Sequence, residues 1–276
     1  MKMPLISIIL PVYNGANRIE KAINSVKSQS HTNWELLVID DGSNDNTGKI
    51  VDIFVKNDSR IKYIKNEANL GIQKSLNKGL KEAKGEYIAR IDDDDEWADI
   101  DKLEKQLEFL EYNKDYVLVG TGAVVIDENN KELFRYLLPQ NDKDIRNNIL
   151  SKNCFVHSSV LFRKDATLTF GGYSEEENIK HIEDYDLWLK LGTVGKFSNI
   201  NTYSVLLMQR DNTISNTNRV IQAKKSIYEI IRFKNKYPNF LLGYLLSQTR
   251  LLFFLIQKII PFNNKFLYKI KTIYKQ

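Results

Sequence analysis

Four consecutive aspartates, Asp92 to Asp95, follow directly on the apolar run Tyr87-Ile88-Ala89-Arg90-Ile91. Carboxylates placed this closely repel one another and raise each other's pKa values unless a cation neutralises them. Oxygen ligands of this kind suit a divalent metal such as Mg²⁺ or Mn²⁺. An acidic surface loop is the alternative for an isolated run of aspartates. The apolar strand in front of the cluster favours a metal site, because ligands of open α/β sheets bind beyond the carboxyl ends of strands.

The elements that would position these carboxylates alternate between short apolar runs and helical patterns, which is typical of βαβ units. Strands are predicted at 5–11, 35–40 and 61–64 and in the run before the aspartates, each followed by a helical pattern. Beyond Asp95 the pattern loosens, with strands predicted at 116–126, 132–138, 155–162 and 202–208 and a helix at 185–191. We therefore expect an α/β fold with a Rossmann-like, mixed but mostly parallel sheet and flanking helices.

Charge is distributed unevenly along the 276 residues, whose formal net charge is +5. Residues 224–276 contain eleven Lys or Arg and a single acid, Glu229, so this tail has a net charge of +10 and residues 1–223 one of −5. Such an asymmetry predicts that the tail contacts an anionic surface while the acidic body holds a metal.

The same tail is apolar as well as basic. Residues 240–260 are strongly apolar but are interrupted by Ser247, Gln248, Thr249, Arg250 and Gln257. No uninterrupted stretch therefore reaches the ~18–20 apolar residues of a membrane span. We predict a catalytic domain over 1–215 and a basic, apolar helical extension over 216–276, which contacts the membrane peripherally or mediates homo-oligomerisation.

Cysteine usage and the N-terminal residues indicate the compartment. Cys154 is the only cysteine, which excludes an internal disulfide framework and fits a reducing environment. The apolar run 5–10 is too short for the core of a signal peptide. The expected location is the cytoplasm, with peripheral contact to the inner face of the cell membrane.

Five short motifs now make a family resemblance specific. They are Ser7-Ile8-Ile9-Leu10-Pro11-Val12-Tyr13-Asn14, Val38-Ile39-Asp40-Asp41-Gly42-Ser43, Asn69-Leu70-Gly71, Gly85-Glu86-Tyr87 leading into the aspartates, and Glu183-Asp184-Tyr185-Asp186-Leu187-Trp188. Each motif alone is a weak signal, but five in one order with sensible spacing are not expected by chance. Over residues 5–210 the chain resembles an inverting family 2 glycosyltransferase. The resemblance implies the GT-A fold, with a nucleotide-sugar half over about 1–98 and an acceptor half over about 99–215.

The resemblance implies a nucleotide site at the ends of the first two strands. Pro11, Tyr13 and Asp41 would cradle the base, and Asn69 would face the nucleotide or its sugar. A tyrosine ring can stack on a base, and a carboxylate can accept the imide N–H of uracil. A UDP-sugar is therefore the expected donor. Either aspartate of the Asp40-Asp41 pair could instead cap the following helix, and we expect Asp40 to be the structural one.

The aspartate cluster corresponds to the family's Asp-x-Asp metal motif. With four aspartates in a row the register is ambiguous. We assign Asp92 to the nucleotide ribose or to metal contact through water and Asp94 to direct coordination, with Asp95 as the second candidate. The expected cofactor is Mn²⁺ or Mg²⁺, which would bridge the diphosphate and neutralise the leaving nucleotide.

The acceptor side needs one general base for an inverting transfer. Glu183-Asp184 matches the family's base motif, so Asp184 is the predicted base and Glu183 lines the site beside it. A helix N-cap is the alternative for Asp184, because cap and base look the same in sequence. His157 matches a histidine of many relatives, although a lone histidine on a strand is often structural. Trp97 is a candidate platform for a sugar ring.

The predicted function is transfer of a sugar from a nucleotide-sugar to a hydroxyl of a saccharide or lipid-linked saccharide, in synthesis of a cell-surface polysaccharide or glycolipid. A metal-dependent nucleotidyltransferase is the first alternative, but residues 14–17 are not its glycine-rich phosphate loop. A catalytically silent membrane-associated scaffold is the second, and intact Asp92, Asp94 and Asp184 argue against it. No nucleic-acid module is recognisable, so no nucleic-acid partner is expected.

Overall fold

The structure is a computed structural model that describes residues 3–209 and 218–259, with side chains as far as Gln257. Residues 216–217 and 260–276 of the predicted extension lie outside the described residues. A nine-stranded sheet runs, from one edge to the other, through the strands Ile61–Lys65, Trp34–Asp40, Ile6–Val12, Tyr87–Arg90, Leu161–Arg163, Tyr116–Ile126, Lys196–Met208 and Glu96–Trp97, and Glu132–Tyr136 pairs with Tyr116–Ile126. Helices cover both faces of this sheet, and two clusters of buried apolar side chains fill the space beneath them.

The first half of the chain builds parallel βαβ units. Its elements are β1 (Ile6–Val12), α1 (Ile19–Lys27), β2 (Trp34–Asp40), α2 (Thr47–Asn57), β3 (Ile61–Lys65), α3 (Ile72–Glu82) and β4 (Tyr87–Arg90). Every residue of β1, β2 and β4 is buried, as expected for parallel strands covered on both faces. The loops after β1, β2 and β4 therefore meet at one edge of the sheet.

The second half mixes strand directions. Its elements are β5 (Glu96–Trp97), α4 (Lys102–Tyr112), β6 (Tyr116–Ile126), β7 (Glu132–Tyr136), α5 (Asp142–Asn148), β8 (Leu161–Arg163), α6 (Lys164–Leu168), α7 (Glu183–Leu191), β9 (Lys196–Met208), α8 (Arg219–Arg232) and α9 (Phe240–Ile259). Strand β8 is antiparallel to both β4 and β6, whereas β6 and β9 are parallel. The expected α/β fold is confirmed, but a mostly parallel arrangement holds only for the first half.

The prediction of a strand over 155–162 is wrong for most of these residues. Residues His157–Ser159 form a 3₁₀ turn, and only Leu161–Arg163 pairs as β8. Phe155, Val156 and Val160 are apolar because they are buried in the core, not because they alternate across a sheet. The turn instead brings His157 and Ser158 next to the loop after β4.

The predicted extension shares its core with the preceding domain. Ile230, Phe233 and Tyr237 belong to the same apolar cluster as Trp188 and Leu189. The Tyr237 hydroxyl donates a hydrogen bond of 2.7 Å to the Leu189 carbonyl. Helix α8 is thus packed into the body of the protein, and the boundary at 215/216 does not separate two cores.

Glu229 on α8 gives a stability prediction. Its carboxyl is fully buried near that of Asp186, and burial followed by this negative charge raises the pKa of Glu229 to about 7. The folded state therefore binds more protons than the unfolded state between pH 4.5 and 7, and stability decreases as pH rises through that window. Glu229→Gln removes this loss and should stabilise the protein at pH 8 by on the order of 1–2 kcal/mol.

The measurement is thermal unfolding of both proteins at pH 5 and pH 8. The advantage of Glu229→Gln should be larger at pH 8 than at pH 5. An equal difference at both pH values would show that Glu229 is ionised throughout, as a simple partner of Arg232.

Candidate active site

The loop after β2 is organised by two buried aspartates with different contacts. Asp40 is fully buried and accepts hydrogen bonds from the Ser43 N–H at 2.7 Å and from the Tyr63 hydroxyl. Asp41 accepts from Asn66 Nδ2 and from the Leu70 and Gly71 N–H groups, each at 2.9 Å. The Asp41 carboxylate thereby fixes the conformation of loop 66–71.

The same loop places Asn69 at the surface, beside Asp41. Its Oδ1 accepts a hydrogen bond of 3.1 Å from the Gly71 N–H, which closes a short turn. Gly71 has φ +91°, a conformation that L side chains rarely adopt. Asp41 and Asn69 are therefore brought to one edge of the sheet, as the motifs predicted by position, while their contact with a nucleotide stays a prediction.

The loop after β1 is held to the loop after β2. The Asn14 N–H donates to Ser43 Oγ at 2.9 Å, and the Gly15 N–H donates to Thr47 Oγ1 at 2.9 Å. Pro11 is buried in β1, whereas 43% of Tyr13 is exposed. The Tyr13 ring is thus accessible for stacking on a planar ligand, and Pro11 supports the strand beneath it.

Arg90 neutralises the first aspartate of the acidic loop. This arginine is almost fully buried at the end of β4, and its Nη2 lies 2.5 Å from Asp92 Oδ1. Burial raises the pKa of Asp92, but the charge of Arg90 outweighs that effect and holds it below its usual value. Asp92 therefore stays ionised while 38% of its side chain is exposed.

The remaining aspartates divide between protein contacts and the open side. Asp93 is paired with Arg18 Nε at 2.8 Å. Asp95 is 7% exposed and contacts Ser158 Oγ, and burial together with Asp92 and Asp94 raises its pKa well above the usual value. Asp94 lines a cavity of about 420 Å³ together with Asn17, Arg18, Lys21, Glu128 and Met208. The loop therefore presents Asp92 and Asp94 to solvent and keeps Asp93 and Asp95 in the protein.

This donor set fits a divalent metal that is shared with a substrate. In the part of the chain that the structure describes, no three His, Cys, Asp or Glu side chains form a closed metal-binding group. Mg²⁺ in nucleotide enzymes is held by one or two carboxylates plus substrate phosphates, so a closed group is not required. Asp92 and Asp94 are the carboxylates of this loop that face solvent, whereas Asp95 is buried against Ser158, so ligation by Asp92 and Asp94 stays the prediction.

Asp184 lies in the first turn of α7. Its Oδ2 accepts a hydrogen bond of 2.8 Å from Asn153 Nδ2. Burial raises the pKa of the Asp184 carboxyl, the Asn153 hydrogen bond offsets part of that effect, and the negative charge of Asp92 adds to it. The N-cap position of α7 belongs to Ile182, whose side chain makes no cap hydrogen bond, and a hydrogen bond from the backbone N–H of Tyr185 also lowers the pKa of Asp184. Asp184 is therefore not the N-cap residue of α7, and its role as the proton acceptor stays a prediction.

Glu183 beside it is 9% exposed, and its Oε2 has no hydrogen-bond partner among the described residues. Burial and then the charge of Asp184 raise the pKa of Glu183 to about 7. Both carboxyls of the pair therefore have raised pKa values, which suits either for accepting a proton near neutral pH, and the choice of Asp184 as the base stays a prediction from the motif.

His157 lies between the acidic loop and α7. Its Nε2 is 3.1 Å from the Tyr173 hydroxyl, and its ring packs edge-on against Trp188 with 5.8 Å between centroids. Burial, with the nearby charge of Arg90, lowers the pKa of His157 to about 3. The imidazole is therefore neutral at physiological pH, and it serves as a hydrogen-bonding group rather than a charge.

Trp97 differs from the prediction that it lines the acceptor site. It is 4% exposed, its Nε1 donates to the Ser158 carbonyl at 2.8 Å, and Lys102 Nζ lies 4.1 Å from its ring centroid. No open ring face remains for a sugar. The apolar surroundings bury the indole behind the acidic loop, where it fixes Ser158.

Comparison with known proteins decides the family. Residues 7–169 match the family model described as glycosyl transferase family 2. The chain belongs to this family. EpsE of Bacillus subtilis, which is named as a glycosyltransferase, is 37% identical over 212 residues, covering 76% of this chain and 74% of its own. WfgD of Escherichia coli, named UDP-Glc:alpha-D-GlcNAc-diphosphoundecaprenol beta-1,3-glucosyltransferase, is 36% identical over 198 residues, covering 71% and 73%.

Solved structures confirm the GT-A-type fold of this glycosyltransferase. Staphylococcus aureus TarS 1–349 in complex with UDP-GlcNAc aligns with a TM-score of 0.67 at 19% identity, covering 91% of this chain and 71% of its own. The mannosyltransferase PcManGT of Pyrobaculum calidifontis, in complex with GDP-Man and Mn²⁺, aligns with a TM-score of 0.63 at 16% identity, covering 99% and 80%. The family assignment favours glycosyl transfer over the nucleotidyltransferase alternative.

Several residues of the glycosyltransferase site were not predicted. Arg90 could have been predicted from the sequence, because a charged residue inside a buried strand needs an oppositely charged partner nearby. Ser158, Asn153 and Arg18 could not have been, since their partners Asp92, Asp184 and Asp93 are 66, 31 and 75 residues away. Only the fold brings these pairs together.

Proposed function

We propose that this glycosyltransferase moves a sugar from a UDP-sugar to a hydroxyl group of a saccharide or lipid-linked saccharide, with inversion at the anomeric carbon. The product would be part of a cell-surface polysaccharide or glycolipid. The proposal rests on two acidic groups that belong to different elements and lie near each other. Asp92 and Asp94 form the open side of one loop, and Asp184 approaches from another element, close enough for its pKa to respond to Asp92.

This arrangement supports a single displacement. The acceptor hydroxyl gives its proton to the Asp184 carboxylate while its oxygen bonds to the anomeric carbon, and the bond from that carbon to the UDP oxygen breaks. The side-chain amide of Asn153 donates a hydrogen bond to Oδ2 of Asp184 and so holds the carboxylate in place. Asp92 and Asp94 would hold Mn²⁺ or Mg²⁺, which supplies Lewis-acid stabilisation of the leaving diphosphate.

The choice of donor and acceptor rests on the relatives and on Asp41. TarS was solved with UDP-GlcNAc, and the name of WfgD specifies UDP-Glc and a diphosphoundecaprenol-linked acceptor. At the place where the motifs predict the base, Tyr13 offers an exposed ring, and Asp41 has a buried carboxylate that already accepts three hydrogen bonds from loop 66–71. A lipid-linked acceptor also agrees with a peripheral position at the inner face of the cell membrane.

The test is a screen of UDP-, GDP-, ADP- and CMP-sugars for hydrolysis and for thermal stabilisation, each with Mn²⁺, Mg²⁺ or EDTA. We expect UDP-sugars alone to stabilise the protein and to be hydrolysed, and EDTA to abolish both effects. Preference for another nucleotide, or full activity in EDTA, would contradict the proposal. No hydrolysis of any nucleotide-sugar, with or without acceptor extracts, would support the silent-scaffold alternative.

Asp41→Asn tests the nucleotide end of the site. An amide has one acceptor atom, so its NH₂ group must face either the Asn66 and Leu70 donors, which share Oδ1 of Asp41, or the Gly71 N–H, which donates to Oδ2. Loop 66–71 should loosen, and UDP affinity should fall by about tenfold, or roughly 1.4 kcal/mol.

Isothermal titration with UDP and Mg²⁺ measures this loss. Asp58→Asn is the matched control, because the Asp58 carboxylate bonds only to Arg60 among the contacts described and lies outside the site. Equal UDP affinity in Asp41→Asn and Asp58→Asn would remove Asp41 from the nucleotide site.

A further inference from the structure

Helix α9 has an outer face that is mostly apolar and uncharged between Phe240 and Gln257, with Gln248 and the exposed Thr249 as its polar residues. Between Phe240 and Gln257 the only charged residue in the sequence is Arg250. Seven large apolar side chains of this helix are between 36% and 72% exposed, namely Leu241, Leu242, Leu245, Leu246, Leu252, Leu255 and Ile256. Their spacing places them along one side of the helix. A soluble surface does not normally carry so many large exposed apolar side chains on one side of a helix.

The inner face of α9 is fixed to the catalytic body. A side chain at Gly243 would come within 2.7 Å of the Leu150 carbonyl, so the helix backbone lies directly against this segment. Arg250 Nη2 donates to the Ser151 carbonyl at 2.6 Å, and Asn239 Nδ2 donates to the Asn147 carbonyl at 3.1 Å. The one charged residue between Phe240 and Gln257 therefore points to the protein and leaves the outer face uncharged over these residues.

By length and composition, residues 240–257 could cross a membrane, with a mean hydropathy of 1.4 over these 18 residues. The packing of Gly243 and Arg250 against 150–151 argues against spanning, because a spanning helix would lose these contacts. A helix with one face on protein and the other apolar suits the plane of a membrane interface.

The charges around this face indicate what kind of partner binds to it. Lys234 and Lys236 are exposed immediately before the helix, and the sequence from residue 224 onward contains eleven basic residues and one acid. Two copies of a face flanked by like charges would repel each other. Anionic lipid headgroups instead attract basic residues, and each basic residue near the surface raises the affinity for the membrane by on the order of tenfold or less. A membrane with anionic lipid therefore fits this face better than a second copy of the chain.

We propose that the outer face of α9 docks in the plane of an anionic membrane surface and thereby seats the catalytic body on it. This inference rests on the proposed function for its purpose, since a lipid-linked acceptor lies at such a surface. The segment beneath α9 continues from Ser151 to Asn153, whose side chain holds Asp184. The docked helix is thus joined through two residues of backbone to the residue that orients the proposed base.

The test is co-sedimentation of the full chain with vesicles of phosphatidylcholine alone and of phosphatidylcholine with phosphatidylglycerol. The variant carries Leu241→Gln, Leu245→Gln and Leu252→Gln. The control carries Ile53→Gln, Ile100→Gln and Leu168→Gln, three side chains of similar exposure elsewhere, at 60%, 57% and 52%. We expect the wild type and the control to bind anionic vesicles, less so at high salt, and the α9 variant to bind at least about tenfold more weakly.

Other outcomes would overturn the inference. Equal vesicle binding by the α9 variant would remove the helix from the contact. A dimer in size-exclusion chromatography with light scattering that only the α9 variant loses, without vesicle binding, would make the face an interface between copies. Association that resists alkaline carbonate would indicate a spanning helix. UDP-sugar hydrolysis is measured on the same preparations, so failure of the proposed function is distinguished from failure of docking.

Discussion

Replacing Asp184 by asparagine is expected to lower turnover by roughly 10²- to 10⁴-fold while donor affinity changes little. Asparagine keeps the size of the side chain and can still accept the hydrogen bond from Asn153, but it cannot take the proton of an acceptor hydroxyl. Because burial raises the pKa of Asp184, the rate of the wild-type enzyme should fall as pH drops through that raised pKa. The acidic limb of the pH profile should be absent from any residual activity of the variant.

Asp186→Asn is the matched control for this variant. Asp186 lies on the same helix but is fully buried and pairs with Lys190 at 2.7 Å and Arg232 at 3.5 Å. We expect this control to lose stability while its turnover stays within about threefold of wild type. If Asp184→Asn instead lowers only the melting temperature and keeps its turnover, Asp184 has a structural role and the base is another group.

Replacing Asp94 by asparagine should abolish metal-dependent binding of UDP, with a loss of about 10²-fold or more in affinity. The fold should remain intact, because the substitution relieves repulsion among neighbouring carboxylates and opens no cavity. Titration of UDP in the presence of Mg²⁺, followed by the same titration in EDTA, separates metal-dependent from metal-independent affinity.

The neighbouring Asp95→Asn variant is the control for the register of the acidic loop. Asp95 is buried against Ser158 and its pKa is already raised, so loss of its charge should alter UDP binding by less than about fivefold. Wild-type affinity in Asp94→Asn with a severe loss in Asp95→Asn would move the direct metal ligand from Asp94 to Asp95.

The periodicity of apolar residues correctly predicts the elements that are recognisable from a short stretch of sequence. The strands of the first half are buried on both faces and occur almost as the apolar runs indicated, with β2 beginning at Trp34. The strand expected at 155–162 failed because burial in a loop and burial in a strand give the same apolar composition.

The same distinction applies to the site. The order of motifs predicts Asp41, the acidic loop and Asp184, since these residues stand directly next to the ends of predicted elements. Trp97 could not be assigned in this way, because an aromatic residue near an acidic loop can support that loop from within as well as line it. Arg18 and Asn153 depend on partners far away in sequence, which only the tertiary structure supplies.

Time-resolved proton NMR of UDP-sugar hydrolysis tests the central claim most directly, because water then replaces the unidentified acceptor. The substrate is an α-linked UDP-sugar, preferably the one that the nucleotide-sugar screen selects, with Mg²⁺ as the metal and enough enzyme to outpace mutarotation. An inverting single displacement predicts that the β-anomer of the free sugar appears first and that Asp184→Asn releases neither anomer at a comparable rate. First appearance of the α-anomer would contradict the account.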